Sequence, residues 1–368
     1  MPRLLLFNCS NDLALASNTR EYIPPKNVAR MESELAVLPV WWCNEGDAVL
    51  FPDAASLRAV RAFVETLSIG VLLTSPEEGY DALCRRAATQ FLPQPWGWSR
   101  AAVERFLRFG VPRKLLPDDE NLEELRYFSS KRFAVDYISR FLSVADAEGF
   151  SHVFVGRNMR YVTSLDGLQL QRRTVFKSPW SSSGRGVFAA DSIGDPSVCE
   201  KLCGFLKRQG GFVIDDMYEK RLDFAFEYHV DSGGAVSFIG YSVFIAADNG
   251  YYGHNVVAGQ DELRQMIVDS GVPGEVLDWL KNRHALLLSE TLGGSYSGVL
   301  GIDMLVASSA GRAVVHPCIE INLRMNLGIA AIAIAGRRGC APRMLAPLSL
   351  GGFNAKVDDS GRLLVGYV

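Results

Sequence analysis

One stretch limits what this chain can fold into more than any other: residues 297–328, SGVLGIDMLVASSAGRAVVHPCIEINLRMNLG. Two apolar runs, 299–306 and 314–323, flank a small polar segment containing glycine, the pattern of a β-hairpin. Alternate side chains along a strand share a face. Glu320, Asn322 and Arg324 therefore point one way and Ile319, Ile321 and Leu323 the other, while Asp303 projects opposite to Ile302 and Met304. With 310–313 as the connecting loop, Asp303 lies across from Glu320. Opposed carboxylates on a sheet face repel and cost stability unless a cation lies between them. The residue types point to magnesium. His316 and Cys318 fall on the same face and carry no role in this reading.

The chain is 368 residues long, enough for two or three domains with their own cores. Hydrophobic residues at 48% and charged residues at 21% describe an ordinary globular protein. A net charge of −3, with Lys and Arg scattered, gives no electrostatic case for nucleic acid or for anionic membranes. The seven cysteines are odd in number and dispersed, and Cys199 and Cys203 read as small packing residues on one helical face rather than as a zinc site. The opening apolar run, 4–7, is far shorter than a signal-peptide core, and no run of about 18 apolar residues occurs, so the expectation is a cytoplasmic protein without a membrane span.

From the start, 3–7 reads as a short buried strand that runs through Asn8, Asn11 and Asp12 into a helix at 13–17. Asn11 and Asp12 suit a helix cap; the alternative is that Asn8, Asn11 and Asp12 line a substrate pocket at a strand end. Strands at 36–42, 48–51 and 70–74 alternate with helices near 54–67 and 76–89, so residues 1–120 form a small α/β domain. It has no G-x-G-x-x-G after its first strand and hence no dinucleotide fingerprint. The stretches 93–98 and 117–120 read as punctuation.

A helix over 131–142 follows Ser129-Ser130 and places Lys131 or Arg132 in its first turn, against the helix dipole. That position makes sense where an anion meets the same helix end. The segment 173–191 reads as strand, loop, strand. Its loop holds Ser181, Ser182, Ser183, Gly184, Arg185 and Gly186, and Lys177 stands at the end of the first strand. Glycines let backbone amides approach phosphate oxygens, serine hydroxyls add donors, and the lysine supplies a point charge. This is not a Walker A loop, because the lysine precedes the glycines. After a helix at 196–208 and a strand at 212–215, the segment 216–223 leads into a strand at 224–230. Such a connection can present backbone groups to a flat heterocycle, with Asp223 and Glu227 competing for a ribose. A strand at 238–246 then runs into 248–255, a loop with aromatics, glycines, His254 and Asn255 that suits binding. Helices near 261–270 and 274–292 precede the hairpin, and a helix at 329–335 follows it.

A basic helix start, a lysine with a Ser/Gly hairpin loop, and Asp303…Glu320-x-Asn322 on a later hairpin resemble, in that order, the ATP-grasp superfamily. The resemblance spans roughly residues 125–345. It implies an N-terminal Rossmann-like α/β domain (1–120) followed by an ATP-grasp fold of two α+β subdomains, a lid at 121–214 and a metal-bearing subdomain at 215–368. It implies ATP and one or two Mg2+ ions, with Mn2+ as the alternative. Lys131 and Lys177 would contact the phosphates, Ser181–Gly186 would close over them, and Asp215, Met217 and Tyr218 would hold adenine, with Asp223 as the ribose acid. Asp303, Glu320 and Asn322 would ligate the metal. Glu320-Ile321-Asn322-Leu323-Arg324 resembles the E-x-N-x-R of biotin carboxylase and carbamoyl-phosphate synthetase, where the arginine faces the reacting acid. Ligases of the D-alanyl-D-alanine type carry an arginine two residues before the aspartate; here that position is Gly301.

The implied activity is an ADP-forming ligase that joins a small-molecule carboxylate to an amine through an acyl phosphate. Lys177 and Arg324 would be its catalytic residues, and Asn8, Asn11, Asp12, His254 and Asn255 its candidate substrate contacts. A carboxylase or carbamoyl-phosphate-type enzyme, or a nucleotide-binding module without turnover, is the alternative. No biotin-carrier or glutaminase-like segment is visible, and a homo-oligomer is not indicated.

Overall fold

A computed structural model of the chain describes residues 1–181, 184, 186–245, 254–337, 344–347 and 352–367, without the side chains of 245, 254 and 367. The chain forms two compact units: Met1–Glu123 with His254–Gly259 and Arg324–Val368, and Glu124–Gly253 with Gln260–Leu323.

The first unit opens with β1 (Arg3–Leu6), α1 (Asn11–Ser17), α2 (Lys26–Glu34), β2 (Ala48–Leu50), α3 (Ala54–Thr66), β3 (Leu72–Thr74), α4 (Tyr80–Ala87), β4 (Leu92–Pro95) and α5 (Arg100–Phe109). The strands make a parallel sheet in the order β3-β2-β1-β4, with Leu5 level with Val49 on one side and Gln94 on the other. Asp53 caps α3 by accepting from Ser56 N at 2.7 Å, and Ser99 caps α5 through Ala102 N at 3.3 Å. The strand expected at 36–42 is absent. Leu38–Trp41 is a 3₁₀ turn, and every residue from Leu35 to Trp41 is buried. A short apolar run without alternation does not distinguish a buried strand from a buried turn, and Pro39 lacks the N–H a ladder needs. The acidic stretch read as punctuation instead starts α6 (Asp119–Phe128), where Asp118 accepts from Asn121 N at 2.9 Å. Acidic groups complement a helix N-terminus.

In the second unit, α7 (Lys131–Ala147) outruns the helix expected to end at 142. A four-stranded antiparallel sheet follows, built from β5 (Arg160–Val162), β6 (Thr174–Lys177), β7 (Val187–Ala190) and β8 (Phe212–Asp216) in the order β5-β8-β6-β7, with α8 (Pro196–Gln209) between β7 and β8. Phe176, Phe212 and Ile214 pack on Val198, Leu202 and Phe205 of α8, leaving the opposite face of this sheet to Lys177, Val213 and Asp215. β9 (Glu219–Val230) begins earlier than expected, so Asp223 sits inside a strand rather than in a connecting loop.

β10 (Val236–Ile245) belongs to the same unit, and β11 (His254–Val256) to the first. Of the binding loop expected at 248–255, residues 248–253 lie outside the described residues. His254 and Asn255 are strand residues, Asn255 buried and level with Leu363, because backbone pairing claims them. α9 (Gln260–Asp269), α10 (Gly274–Leu292), β12 (Gly298–Ser309) and β13 (Arg312–Asn322) complete the second unit, whose antiparallel strands run β13-β12-β9-β10 with α7 packed on β13 and α10 on β9 and β10. The chain then adds α11 (Leu327–Gly336), β14 (Phe353–Val357) and β15 (Arg362–Tyr367) to the first unit, with β15 paired to both β11 and β14.

The β12–β13 hairpin confirms two strands but not the four-residue loop. Its turn is Ala310-Gly311, both with positive φ (48° and 77°), as tight hairpins require. That turn alone would misalign the carboxylates. A bulge restores them: Leu305 is level with His316, whereas Asp303 is level with Glu320. Between these pairs β13 has three residues, Pro317–Ile319, against Met304 alone on β12, and the first is a proline that has no N–H to give the ladder.

Candidate functional site: two buried lysines and a carboxylate pair

In the second unit, Lys177 reaches the end of β6, buried to 6% exposure, and its Nζ lies 3.2 Å from Asp215 Oδ2 on β8. The same oxygen lies 3.0 Å from Nε2 of the fully buried His316. Burial alone would raise the Asp215 carboxyl, but Lys177, followed by His316, outweighs it and holds the group at about 2. Asp215 is therefore charged and its side chain is turned into this cluster. The role implied for it was adenine binding; its neighbour Met217 is half exposed, and the Tyr218 hydroxyl accepts from Gly156 N at 3.0 Å. His316 Nδ1 is a buried nitrogen with no hydrogen-bond partner.

Lys131 is the first residue of α7, which is capped by Ser130 through Phe133 N. Its cation meets the anion that its unfavourable dipole position calls for: Nζ lies 2.8 Å from Glu320 Oε1, 2.9 Å from Ser181 O and 3.1 Å from Ser181 Oγ. One buried ammonium thus joins the hairpin loop after β6 to a carboxylate of β13. In that loop Ser178 N bonds Gly186 O at 2.8 Å, and Gly184 and Gly186 both take positive φ. A Cβ on Gly186 would collide with the Ser178 hydroxyl. Ser182, Ser183 and Arg185 lie outside the described residues.

On the face shared by β9, β12 and β13, Asp303 is level with Ala225 and Glu320, and Gly301 with Glu227 and Asn322. Asn322 Nδ2 bonds Asp303 Oδ2 at 2.9 Å. Cys318 is fully buried beside them. Burial raises its thiol strongly, Lys177 opposes this, and Asp303, Glu320 and Asp215 add to it, so all four charges act on one point. Among the described residues no three His, Cys, Asp or Glu side chains cluster as a metal site. The donor set nevertheless fits a hard cation: two carboxylates and an amide oxygen, with other positions open to phosphate oxygens and water. Glu227, the rival ribose acid, is buried on this face and accepts from Ser242 Oγ at 2.8 Å. Asp223 is paired with Lys220 at 2.6 Å.

The remaining candidates lie in the first unit. β13 ends at Asn322, so Arg324 is not on the strand with Glu320 and Asn322. It is bound instead to Asp12, Nη2 to Oδ2 at 2.9 Å, with Nε 3.2 Å from both carboxylate oxygens. Asn8 Nδ2 donates to Gly97 O at 2.8 Å, and the Asn11 amide, with its nitrogen turned the same way, donates to that oxygen at 2.8 Å. Neither Asn11 nor Asp12 caps α1, since both lie within its first turn. The contacts of Asp215 with Lys177 and His316 are not legible in the sequence, because nothing local shows that Asp215, at the end of β8, meets a lysine 38 residues away.

No protein-family model matches the chain, and no curated protein matches its sequence. Solved structures do match its fold. The biotin carboxylase domain of Hydrogenobacter thermophilus 2-oxoglutarate carboxylase is 12% identical with a TM-score of 0.51, covering 91% of this chain and 82% of that one. Phosphoribosylamine–glycine ligase from Thermotoga maritima is 15% identical with a TM-score of 0.50, covering 92% and 88%. Rhizobium etli pyruvate carboxylase is 11% identical with a TM-score of 0.50, covering 92% of this chain and 27% of its own. The chain shares its fold with these three enzymes.

Proposed function

We propose that the protein is an ATP- and magnesium-dependent, ADP-forming ligase that couples a small-molecule carboxylate to an amine. The observation that carries this reading is the Lys131 ammonium, which binds the Ser/Gly hairpin through Ser181 and the carboxylate face through Glu320. A phosphate-binding loop and a metal-binding carboxylate are useful together only where a polyphosphate and its metal meet. Fold neighbours solved with Mg-ADP and bicarbonate, or named as a phosphoribosylamine–glycine ligase, support it.

In this reading residues 121–214 form the lid over the phosphates. Lys131 and Lys177 bind and orient them, with Asp215 holding Lys177 in place. Asp303, Glu320 and Asn322 would hold magnesium, which neutralises charge on the phosphates. The substrate carboxylate attacks the γ-phosphorus and ADP leaves. The amine then attacks the acyl carbon, phosphate departs with its oxygen, and the amine proton passes to solvent. Arg324 would orient the acid and stabilise the oxyanion. The fold family's carboxylases favour a second reading in which bicarbonate is the acid, since one neighbour was solved with that anion.

The test is ADP release from Mg-ATP against a panel of acids, bicarbonate included, and amines. ADP formed only with an acid and an amine together supports the ligase; ADP formed with bicarbonate alone supports the carboxylase. Turnover unaffected by Asp303→Asn, Glu320→Gln and Arg324→Ala would refute the site assignment.

A further inference from the structure

His316 stands on β13 with its ring fully buried, and the ligase reading gives it no part. Its surroundings belong to the second unit. Gly156 takes φ 102°, and a Cβ there would lie 2.8 Å from His316 Nε2 and 2.6 Å from Ile138. The Tyr218 ring meets the imidazole edge-on, with centroids 5.6 Å apart. Among the described residues, Nε2 bonds Asp215 Oδ2 at 3.0 Å and Nδ1 has no hydrogen-bond partner. Against the rise that burial causes, Lys177 and His316 hold Asp215 ionised, so its oxygens only accept. His316 Nε2 therefore carries the hydrogen of that bond.

Asp215 Oδ1 takes Asp216 N at 2.9 Å, and Oδ2 takes both Lys177 Nζ at 3.2 Å and His316. One ammonium already balances one carboxylate. The pair by itself has no need of a second donor, and an apolar ring would fill the same space without an unpaired nitrogen. In the ligase reading, however, Lys177 also serves a phosphate. One ammonium cannot give its whole charge to Asp215 and to a phosphate at once, and a buried carboxylate that loses its partner is costly. We propose that His316 is a positioning residue that holds Asp215 when Lys177 turns its charge to phosphate, and so sets phosphate affinity. The inference rests on the ligase reading, in which Lys177 binds phosphate. His316 touches Asp215 rather than a substrate, so its effect must pass through that carboxylate.

The full chain is titrated calorimetrically with Mg-ADP and, as a probe that needs no adenine site, with magnesium tripolyphosphate. His316→Gln places an amide N–H where Nε2 stood, His316→Asn places it near Nδ1, and His316→Phe removes it. His316→Phe and His316→Asn should weaken binding of both probes about 10- to 100-fold, the worth of a hydrogen bond to a charged group. His316→Gln should regain most of that loss. In an Asp215→Asn background, His316→Phe should have little further effect, because a neutral amide needs no counter-charge. A merely structural histidine would weaken binding equally in both backgrounds and would not distinguish His316→Gln from His316→Asn. That result, or binding unchanged by His316→Phe and His316→Asn, would overturn the inference. Tripolyphosphate binding that depends on His316 in this way, without Mg-ADP binding, would support the inference and refute the nucleotide reading. Binding of neither probe would overturn both.

Discussion

Asp215 accepts from a lysine and a histidine on one oxygen, and both neighbours favour its charged form. Its folded value of about 2 lies below the ordinary unfolded value of about 4. The stability it contributes, on the order of 2 kcal/mol, is therefore fully present above about pH 4 and is lost as pH falls toward 2. Urea midpoints measured across that range should drop more steeply for the natural chain than for Asp215→Asn. At neutral pH the same substitution leaves Lys177 buried without its counter-charge and should cost about 3 kcal/mol. Asp303→Asn and Glu320→Gln should each lower kcat for ADP release by about a hundredfold. Asp303→Asn should melt near the natural chain, because it relieves the repulsion between opposed carboxylates, whereas Glu320→Gln takes the counter-charge from buried Lys131 and should melt lower.

At the scale of elements, the hairpin separates stability from function. Gly311 takes φ 77° in the turn, where a side chain costs about 1–2 kcal/mol. Gly311→Ala should lower stability by that amount in urea denaturation. The proposed turnover should be unchanged, because the bulge around Pro317, not the turn, sets Asp303 opposite Glu320. The sequence reading reached that pairing by assuming a loop two residues too long and a regular ladder. The two errors cancelled, since the bulge takes up the residues wrongly given to the loop. The run around Trp41 shows the opposite failure: a β-like composition yields a 3₁₀ turn where burial is complete and periodicity carries no information.

Across the whole molecule, the first unit is assembled from distant parts of the chain. Trp41 Nε1 donates to Leu345 O at 2.8 Å, Arg337 Nη2 to Cys43 O at 2.6 Å, and Phe353 N bonds Glu34. A chain ending at Leu323 would lose α11, β14, β15 and these bonds while keeping every residue of the N-terminal parallel sheet. Such a truncation should lose the near-ultraviolet circular dichroism of Trp41 and a large part of the melting enthalpy of the full chain. Retention of both would show that the first unit folds without its C-terminal part. No helix among the described residues is long and apolar enough to cross a membrane.

The sequence by itself determined the local elements: apolar runs in strands, capped helix starts, a lysine before serines and glycines, and opposed carboxylates on a hairpin. These depend on periodicity and on neighbours a few residues apart, which a sequence displays directly. Only the tertiary structure decided what each charge meets. Lys131 finds Glu320, Asp215 gathers Lys177 and His316, and Arg324 turns to Asp12 once its strand ends at Asn322. A buried charge takes whichever counter-charge the folded backbone brings within a few ångströms, and separation along the chain does not enter that choice.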